Sequence, residues 1–389
     1  MFWNSISNNK YRSTNLIVSG ICACPGIVTG CICIWGKEYE NCFKEGAILL
    51  ILDLIGELPP LWVIQKASAI ISCRHTSYSH LTSLAMALNK PCIVGAVFNC
   101  MPKNNSFIVV DAWENFVAYS ENNNSDILMS ENQNKWLIDI ANKVCEKLYS
   151  SYDKPLAHVV ALEGEEYYID NISGIFLDSM IFQKAPHVIS ELKSTLHKIC
   201  HHHPNIEIYY RFSPSAICYK NNKLQLQREI DFVCSLQNKG IPICVFIANA
   251  TSYEDIITFR QFISLICPNA PIKIGTMVEN KQMVNCLDYI VGDDLIDFAA
   301  VGINDLMSSY LRLERDDPKN QDKFRIDEKT ISNALISIRD VLASKNIPCY
   351  IGFPKYARFF NDYELLNSFG YSNFFGTHSL FMIAQKYRG

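Results

Sequence analysis

Residues 16–120 alternate between short apolar runs and polar turns. Each run is three to six residues long, which is the length of a strand rather than of a helix. One segment, Leu81–Asn89, instead repeats its apolar residues at helical spacing. The pattern therefore predicts a small sheet interrupted by one helix. Its predicted strands are Cys31–Trp35, Ala47–Leu52, Ala69–Cys73, Cys92–Val94, Phe107–Asp111 and Phe116–Tyr119.

From about Lys154 the pattern changes to strands that alternate with helices. Amphipathic stretches such as Tyr253–Ile266, Lys281–Val291 and Glu328–Ser344 separate the apolar runs. Eight strands with intervening helices predict a (β/α)8 barrel of the TIM type. The predicted barrel strands are Glu166–Asp170, Gly174–Asp178, Ile206–Phe212, Ile243–Ala248, Ile272–Glu279, Phe298–Gly302, Cys349–Phe353 and Asn373–Gly376.

The first unit of this barrel is irregular. Only Asn171–Ser173 separates the first two predicted strands, and three residues cannot hold the crossover that parallel strands need. Either the first unit is degenerate, or one of the two strands does not exist. We predict an α/β protein with a flexible N-terminus (1–15), a β/β/α domain (16–120), a linker with helical spacing at Trp136–Tyr149 (121–153), and a barrel domain (154–389).

Composition is that of an ordinary globular protein. Hydrophobic residues make up 49% of the chain and the net charge is −4, so we expect no nucleic-acid partner. Leu16–Trp35 carries no charge, but Pro25-Gly26 interrupts it, which favours strand, turn and strand over a membrane span. The 16 cysteines lack the spacing of zinc sites. We interpret most of them as small buried side chains in a reducing cytoplasm.

His80 is the first candidate for chemistry. Ser79 is a good helix N-cap, so His80 would be the first residue of the helix that Asn89 and Pro91 close. Free N–H groups and the positive end of the helix dipole favour a phosphate on that imidazole. Taken alone, however, a histidine at a helix start more often only caps or packs.

The surroundings of His80 resemble a known domain. Ser79-His80, a short apolar helix and then Pro91-x-x-Val-Gly95 are similar to the swivelling phosphohistidine domain of the phosphoenolpyruvate (PEP)-utilising enzymes. This family includes pyruvate phosphate dikinase, PEP synthase and enzyme I of the sugar phosphotransferase system. The resemblance covers residues 18–119, including the opening Gly20–Gly30 and the closing Val109–Asp111. It implies a mobile domain whose phosphorylated residue is His80, with Ser79 beside it.

The loop before His80 departs from this family. The family has a Gly-Gly-x-Thr-Ser-His sequence there, whereas this chain has His75-Thr-Ser-Tyr-Ser79-His80. The glycine pair that would let the backbone approach a phosphate is missing, and Tyr78 takes the place of the threonine. The shape of the loop and the rate of transfer are therefore open.

Two carboxylates mark a second candidate site. Glu279 ends one predicted strand and Asp305 follows the next, and the C-terminal ends of neighbouring strands meet at the functional face of a barrel. Oxygen ligands of this kind suit Mg²⁺. Arg211, at the end of an earlier strand, and Arg315 could neutralise a phosphate, since the guanidinium group binds phosphate through two bonds.

The same segments resemble the PEP-binding barrel of the same family. The matching motifs are Gly275–Glu279, Gly302–Leu306 and the downstream Arg315. The resemblance implies that Glu279 and Asp305 hold Mg²⁺. It also implies that Asn304, Arg315 and Arg211 contact PEP.

This barrel also departs from the family. The family's second-strand arginine and glutamate are absent from Gly174–Phe182. The family's Cys-Gly-Glu motif, whose cysteine is the acid, is replaced in this chain by Ile351–Phe353. Cys349 lies two residues earlier and is the candidate substitute as proton donor, with water as an alternative. The segment His201–His203, beside Pro204, is interpreted as a polar turn, with a metal-binding cluster as the minor alternative.

The resemblance implies a cytoplasmic phosphotransferase that moves a phosphoryl group between PEP, or a similar phosphorylated acid, and His80. No segment reads as a nucleotide-binding domain, so we expect a separate kinase subunit or a phosphocarrier protein as partner. The family also suggests a homodimer. The alternative is a relative with impaired catalysis that acts as a binding or regulatory protein.

Overall fold

The computed structural model of the chain describes residues 15–35, 43–52, 58–88, 90–112, 114–120, 156–159, 174–179, 189–202, 204–217, 223–268, 270–352 and 359–377. These residues form two compact units. The first contains the described residues up to 120 together with Asp316–Gln321. The second contains the described residues of 156–315 and those from 322 onward.

The first unit is built on a mixed sheet. Within its described residues the sheet has the order β1-β5-β4-β3-β2-β6-β7. The pairs β2–β3, β3–β4 and β4–β5 are parallel, and the remaining pairs are antiparallel. The strands are β1 (Ile17–Cys24), β2 (Ile27–Trp35), β3 (Ile48–Ile51), β4 (Ala69–Ser72), β5 (Cys92–Phe98), β6 (Phe107–Asp111) and β7 (Phe116–Tyr119).

The uncharged segment Leu16–Trp35 folds as strand, turn and strand, as predicted. Gly26, in the turn between β1 and β2, has φ +142°, a conformation that L side chains rarely adopt. A Cβ at this position would also lie 2.6 Å from Cγ of Pro91. The turn is therefore restricted to glycine both by its backbone and by its packing.

Two helices of the first unit are described. The helix α2 (His80–Ala87) matches the predicted Leu81–Asn89 within two residues. The helix α1 (Leu61–Lys66) was not predicted, because six residues are too few to show a helical period. The core is aliphatic, since Ile32, Ile48 and Ile71 of neighbouring strands are fully buried.

The second unit is a closed barrel of parallel strands. In the described residues its order is β10-β11-β12-β13-β14-β15-β8-β9, and each pair is parallel. This confirms the eight-stranded barrel that the sequence predicts. The strands are β8 (Leu156–Val159), β9 (Gly174–Asp178), β10 (Glu207–Phe212), β11 (Ile243–Ile247), β12 (Lys273–Val278), β13 (Phe298–Val301), β14 (Cys349–Gly352) and β15 (Asn373–Thr377).

The start of the barrel differs from the prediction. Its first strand is β8, which precedes the predicted strand Glu166–Asp170; that segment lies outside the described residues. Because β8 pairs with β9 in parallel, the crossover spans residues 160–173 instead of the three residues Asn171–Ser173. The choice of first strand was therefore wrong.

The helices of the barrel unit agree with the amphipathic pattern where that pattern was clear. They are α3 (Ile189–His202), α4 (Lys223–Gln237), α5 (Tyr253–Ile266), α6 (Lys281–Gly292), α7 (Ile303–Leu311), α8 (Lys329–Ser344) and α9 (Phe359–Ser368). The predicted turn at His201–His203 is wrong for its first two residues, which end α3. The predicted helix Trp136–Tyr149 lies outside the described residues.

Large side chains fill the interior of the barrel. Phe176 and Phe375 stack there with ring centroids 5.1 Å apart, and Tyr209 contacts Tyr350 edge-on at 5.3 Å. A filled interior leaves the ends of the strands as the place where such barrels bind small molecules. Among the helices that the structure describes, none is long and apolar enough to cross a membrane.

Candidate functional site

His80 lies at the start of α2, as the sequence predicts. Ser79 is the N-cap, and its Oγ accepts a hydrogen bond of 3.3 Å from the backbone N–H of Thr82. The side chain of Ser79 is buried, whereas that of His80 is exposed. The cap thus orders the first turn of the helix and presents the imidazole to solvent.

The loop between β4 and α2 is held by its own polar side chains. Oγ of Ser72 accepts from the N–H groups of Arg74, at 3.3 Å, and of His75, at 3.2 Å. The carbonyl of Thr76 accepts from the N–H of Ser79 at 3.2 Å and from Oγ1 of Thr82 at 2.7 Å. These side-chain and backbone hydrogen bonds define the path of a loop in which the family's glycine pair is missing.

His75 is a buried histidine of this loop that the sequence did not single out. Its Nδ1 lies 2.7 Å from Oγ of Ser72. Because that oxygen already accepts two N–H groups, its own hydrogen is best placed to point at Nδ1, which puts the ring proton on Nε2. Burial lowers the pKa of His75, and the charge of Asp316 partly opposes this effect. A neutral His75 is therefore part of the architecture of the loop.

Gly95 lies on β5 beside the same loop. Its φ is +59°, and a Cβ there would be 3.9 Å from the carbonyl oxygen of His75. The position has space but a left-handed backbone, which favours glycine. The glycine fifteen residues after His80 is thus explained by its conformation.

Glu279 directly follows β12 at the C-terminal edge of the barrel. It is 3% exposed, and its Oε1 accepts a bond of 2.5 Å from the N–H of Asn249. Asn249 has φ +55°, a left-handed conformation that asparagine tolerates better than most residues. Asn280 also donates to the carbonyl of Ala250 at 2.9 Å. Two consecutive residues after β12 therefore fix the loop after β11.

Gly302 leaves room for the carboxylate of Glu279. A Cβ at this position would lie 2.9 Å from Cβ of Glu279, 3.0 Å from Cε of Met277 and 3.1 Å from Oε2 of Glu279. The N–H of Gly302 also donates to the carbonyl of Val278 at 3.2 Å. A side chain at 302 would displace the carboxylate, so this glycine belongs to the site.

Asp305 and Arg315 form an ion pair in the same unit. Nη1 of Arg315 lies 2.6 Å from Oδ1 of Asp305, which is in the first turn of α7. The arginine side chain is 13% exposed and the aspartate 42%. The predicted metal ligand and the predicted phosphate ligand are therefore bonded to each other. Asn304, one residue earlier, is half-buried in the same turn.

The structure puts Arg211 at the strand end where the sequence predicts it, whereas Cys349 lies away from its predicted place. Arg211 is next to last in β10, near its C-terminal end, and its guanidinium carbon lies 6.0 Å from the ring centroid of Phe176. Cys349 is the first residue of β14; it is level in register with Ala299 of β13 and thereby with Thr276 of β12, three residues before Glu279. Since Tyr350 packs in the barrel interior, alternation turns Cys349 outward. The prediction that Cys349 donates a proton at the Glu279 edge does not fit this position.

Glu279 and Asp305 carry carboxylate oxygens, the type of ligand that Mg²⁺ prefers. The described residues contain no group of three or more His, Cys, Asp or Glu side chains placed to bind a metal. Mg²⁺, however, commonly binds through one or two carboxylates, with water and substrate oxygens completing the shell. Glu279 and Asp305 could supply such a pair, although one oxygen of each already accepts a hydrogen bond.

Solved structures with some likeness to this chain are lyases and aldolases. A citrate lyase from Burkholderia xenovorans is 12% identical, with a TM-score of 0.43, over 60% of this chain and 76% of that chain. An HpcH/HpaI aldolase/citrate lyase family protein from Burkholderia cenocepacia is 14% identical, with a TM-score of 0.42, over 63% and 96%. With scores below 0.5, these similarities carry no functional argument.

The family comparison concerns the first unit. A search of curated proteins found no match to the chain. Residues 43–114 match the family model described as PEP-utilising enzyme, mobile domain. The matched segment contains the loop between β4 and α2, His80 and Gly95. It is thus the part of the chain for which sequence motif, local geometry and family model agree.

Proposed function

We propose that the chain is a phosphotransferase that moves a phosphoryl group between PEP, or a close analogue, and His80. The observation that carries the proposal is the match of residues 43–114 to the mobile domain of PEP-utilising enzymes. In the same segment His80 is exposed at the first position of a helix that Ser79 caps. An accessible imidazole at a helix N-terminus suits a phosphoryl acceptor.

The reaction at His80 is an in-line displacement. An imidazole nitrogen attacks the phosphorus, the new N–P bond forms, and the bond from phosphorus to the enol oxygen breaks. The enolate then takes a proton from water, because Cys349 lies at the other end of its strand. Positioning and charge neutralisation supply most of the catalysis in reactions of this kind.

The barrel edge is proposed to hold the substrate. Glu279 and Asp305 would bind Mg²⁺, which when bound neutralises phosphate charge. Arg315, Arg211 and Asn304 would contact the phosphate or the carboxylate of the substrate. Because Arg315 is bonded to Asp305, its guanidinium group must share its donors between that carboxylate and the substrate.

The second partner of the phosphate is proposed to be a separate protein, either a kinase or a phosphocarrier. From the family resemblance we also propose that the protein is cytoplasmic and that it forms a homodimer. A second candidate function is that of a binding or regulatory relative with impaired catalysis. The ion pair between Asp305 and Arg315 favours this candidate, because part of the bonding capacity of both groups is already used without substrate or metal.

Incubation with PEP labelled on phosphorus, with and without Mg²⁺, tests the proposal. We expect acid-labile, base-stable label on the wild type, none on His80→Ala, and full labelling of His201→Ala, whose side chain is exposed on α3. Absence of label on the wild type would overturn transfer from PEP and favour the regulatory candidate. Label that persists on His80→Ala would assign the acceptor to another residue.

A further inference from the structure

The loop that presents His80 has a partner far away in sequence. The segment Asp316–Gln321 belongs to the same compact unit as this loop. Oε1 of Gln321 accepts a bond of 2.8 Å from the N–H of Ser77, and Nε2 of Gln321 donates to Oγ of Ser77 at 2.6 Å. The orientation of the amide is fixed, because a backbone N–H can only donate.

Ser77 lies three residues before His80 and is 2% exposed. The loop contains no glycine between Ser72 and His80, so side-chain bonds must define its path. The bonds made by Ser72 and by the carbonyl of Thr76 join residues within six positions of one another, whereas those of Ser77 reach across 244 positions. Loss of Gln321 would leave a buried N–H without its acceptor, which the fold opposes.

The same segment also acts on the loop through charge. The carboxylate of Asp316 partly opposes the lowering of the His75 pKa that burial causes. Ser77 and His75 are both buried and flank Thr76, whose carbonyl in turn holds Ser79 and Thr82. The segment Asp316–Gln321 therefore supports the loop directly at Ser77, next to the residue whose carbonyl anchors the helix cap.

We propose that Gln321 is a positioning residue for the histidine loop, acting through Ser77 to hold the start of α2 in the geometry that phosphoryl transfer to His80 requires. This inference rests on the proposed function, since it assumes that His80 accepts the phosphoryl group. Gln321 itself is not expected to touch the reacting atoms. Its effect should therefore appear in the rate of transfer rather than in the affinity for PEP.

The test compares four variants of the full chain. Gln321→Ala removes both bonds, Ser77→Ala removes only the one to Oγ, and Gln321→Glu keeps an acceptor for the N–H of Ser77 and can accept from its hydroxyl. Lys319→Ala is the matched control, because this exposed side chain lies in the same segment. Hydrogen exchange of the Ser77 amide reports the loop without any need for activity.

We expect Gln321→Ala to lose at least about tenfold of the protection of the Ser77 amide, as the loss of one to two hydrogen bonds implies. Transfer at saturating PEP should fall by a similar factor with an unchanged half-saturating concentration. Gln321→Glu should recover most of both values, Ser77→Ala should be intermediate, and Lys319→Ala should equal the wild type.

Two results would overturn the inference. One is a Gln321→Ala variant that is labelled by PEP at the wild-type rate, which leaves the proposed function intact. The other is unchanged protection of the Ser77 amide in that variant. If the wild type takes no label from PEP, the proposed function fails, and exchange alone decides whether Gln321 orders the loop: lost protection supports the inference and retained protection overturns it.

Discussion

Substitution of Gly302 by alanine tests the packing of the barrel site most sharply. The added Cβ would lie 2.9 Å from Cβ of Glu279 and 3.0 Å from Cε of Met277, whereas ordinary carbon contacts are about 3.5–4.0 Å. The first of these atoms is at the base of its side chain and cannot rotate away. Overpacking of this kind typically costs about 1–3 kcal/mol.

That cost converts into a measurable change in melting temperature. At about 2–4 °C per kcal/mol for a unit of roughly this size, Gly302→Ala should melt about 2–12 °C below the wild type. The matched control is Gly292→Ala at the exposed C-terminal end of α6, where an added Cβ meets nothing within 4 Å. This control should be unchanged or slightly stabilised, since alanine favours a helix over glycine.

Thermal unfolding followed by circular dichroism gives both values, and Mg²⁺ titration of the two variants adds a functional readout. We expect weaker Mg²⁺ binding by Gly302→Ala only, because the carboxylate of Glu279 must move. A Gly302→Ala variant that melts and binds Mg²⁺ as the wild type does would refute the placement of Glu279 against Gly302.

Three further predictions concern the remaining groups. Ser79→Ala should destabilise the first unit by about 1 kcal/mol in urea unfolding and slow labelling of His80. Ser83, whose hydroxyl makes a long bond of 3.4 Å to the carbonyl of Ser79, does not cap the helix, so Ser83→Ala should have a smaller effect on both. Equal effects would contradict the cap. Asp305→Asn should lower the free energy of unfolding by less than about 1 kcal/mol, because the ion pair of Asp305 with Arg315 is partly exposed. The same variant should bind Mg²⁺ more weakly in a titration. Unchanged Mg²⁺ binding would show that Asp305 is not a metal ligand. Burial lowers the pKa of His75 below its ordinary value of 6.5, so the unfolded chain binds a proton at this imidazole at a higher pH than the folded chain does. The free energy of unfolding should therefore decline as the pH falls below 6.5. His75→Gln should reduce this pH dependence of stability, and an unchanged pH dependence would argue against a buried neutral imidazole.

The sequence anticipated the fold where apolar periodicity was long enough to be read. Tyr253–Ile266 matches α5 residue for residue, because a capping box at Ser252 and fourteen residues of pattern define it. The short α1 and the four-residue β8 have no such signal. Strand β8 was missed because its strand conformation depends on pairing with β15 and β9, which are its neighbours in space.

The candidate site was anticipated only in part for a similar reason. Local motifs indicated Ser79, His80, Glu279 and Asp305, since each lies at the end of a strand or the start of a helix. The contact of Gln321 with Ser77 spans 244 positions and has no local signature. Cys349 was proposed from its distance to a motif along the chain, but its place in the register of β14 puts it at the other end of the strand.

Location of the phosphoryl group on the protein is the most direct test of the central claim. After incubation with PEP and Mg²⁺, digestion and mass spectrometry at alkaline pH, where phosphohistidine survives, would identify the modified residue. The account predicts one phosphate on the peptide that contains His80 and an unmodified side chain at His75 in the same loop. Phosphate on another residue, or no phosphopeptide from the intact wild-type chain, would contradict it.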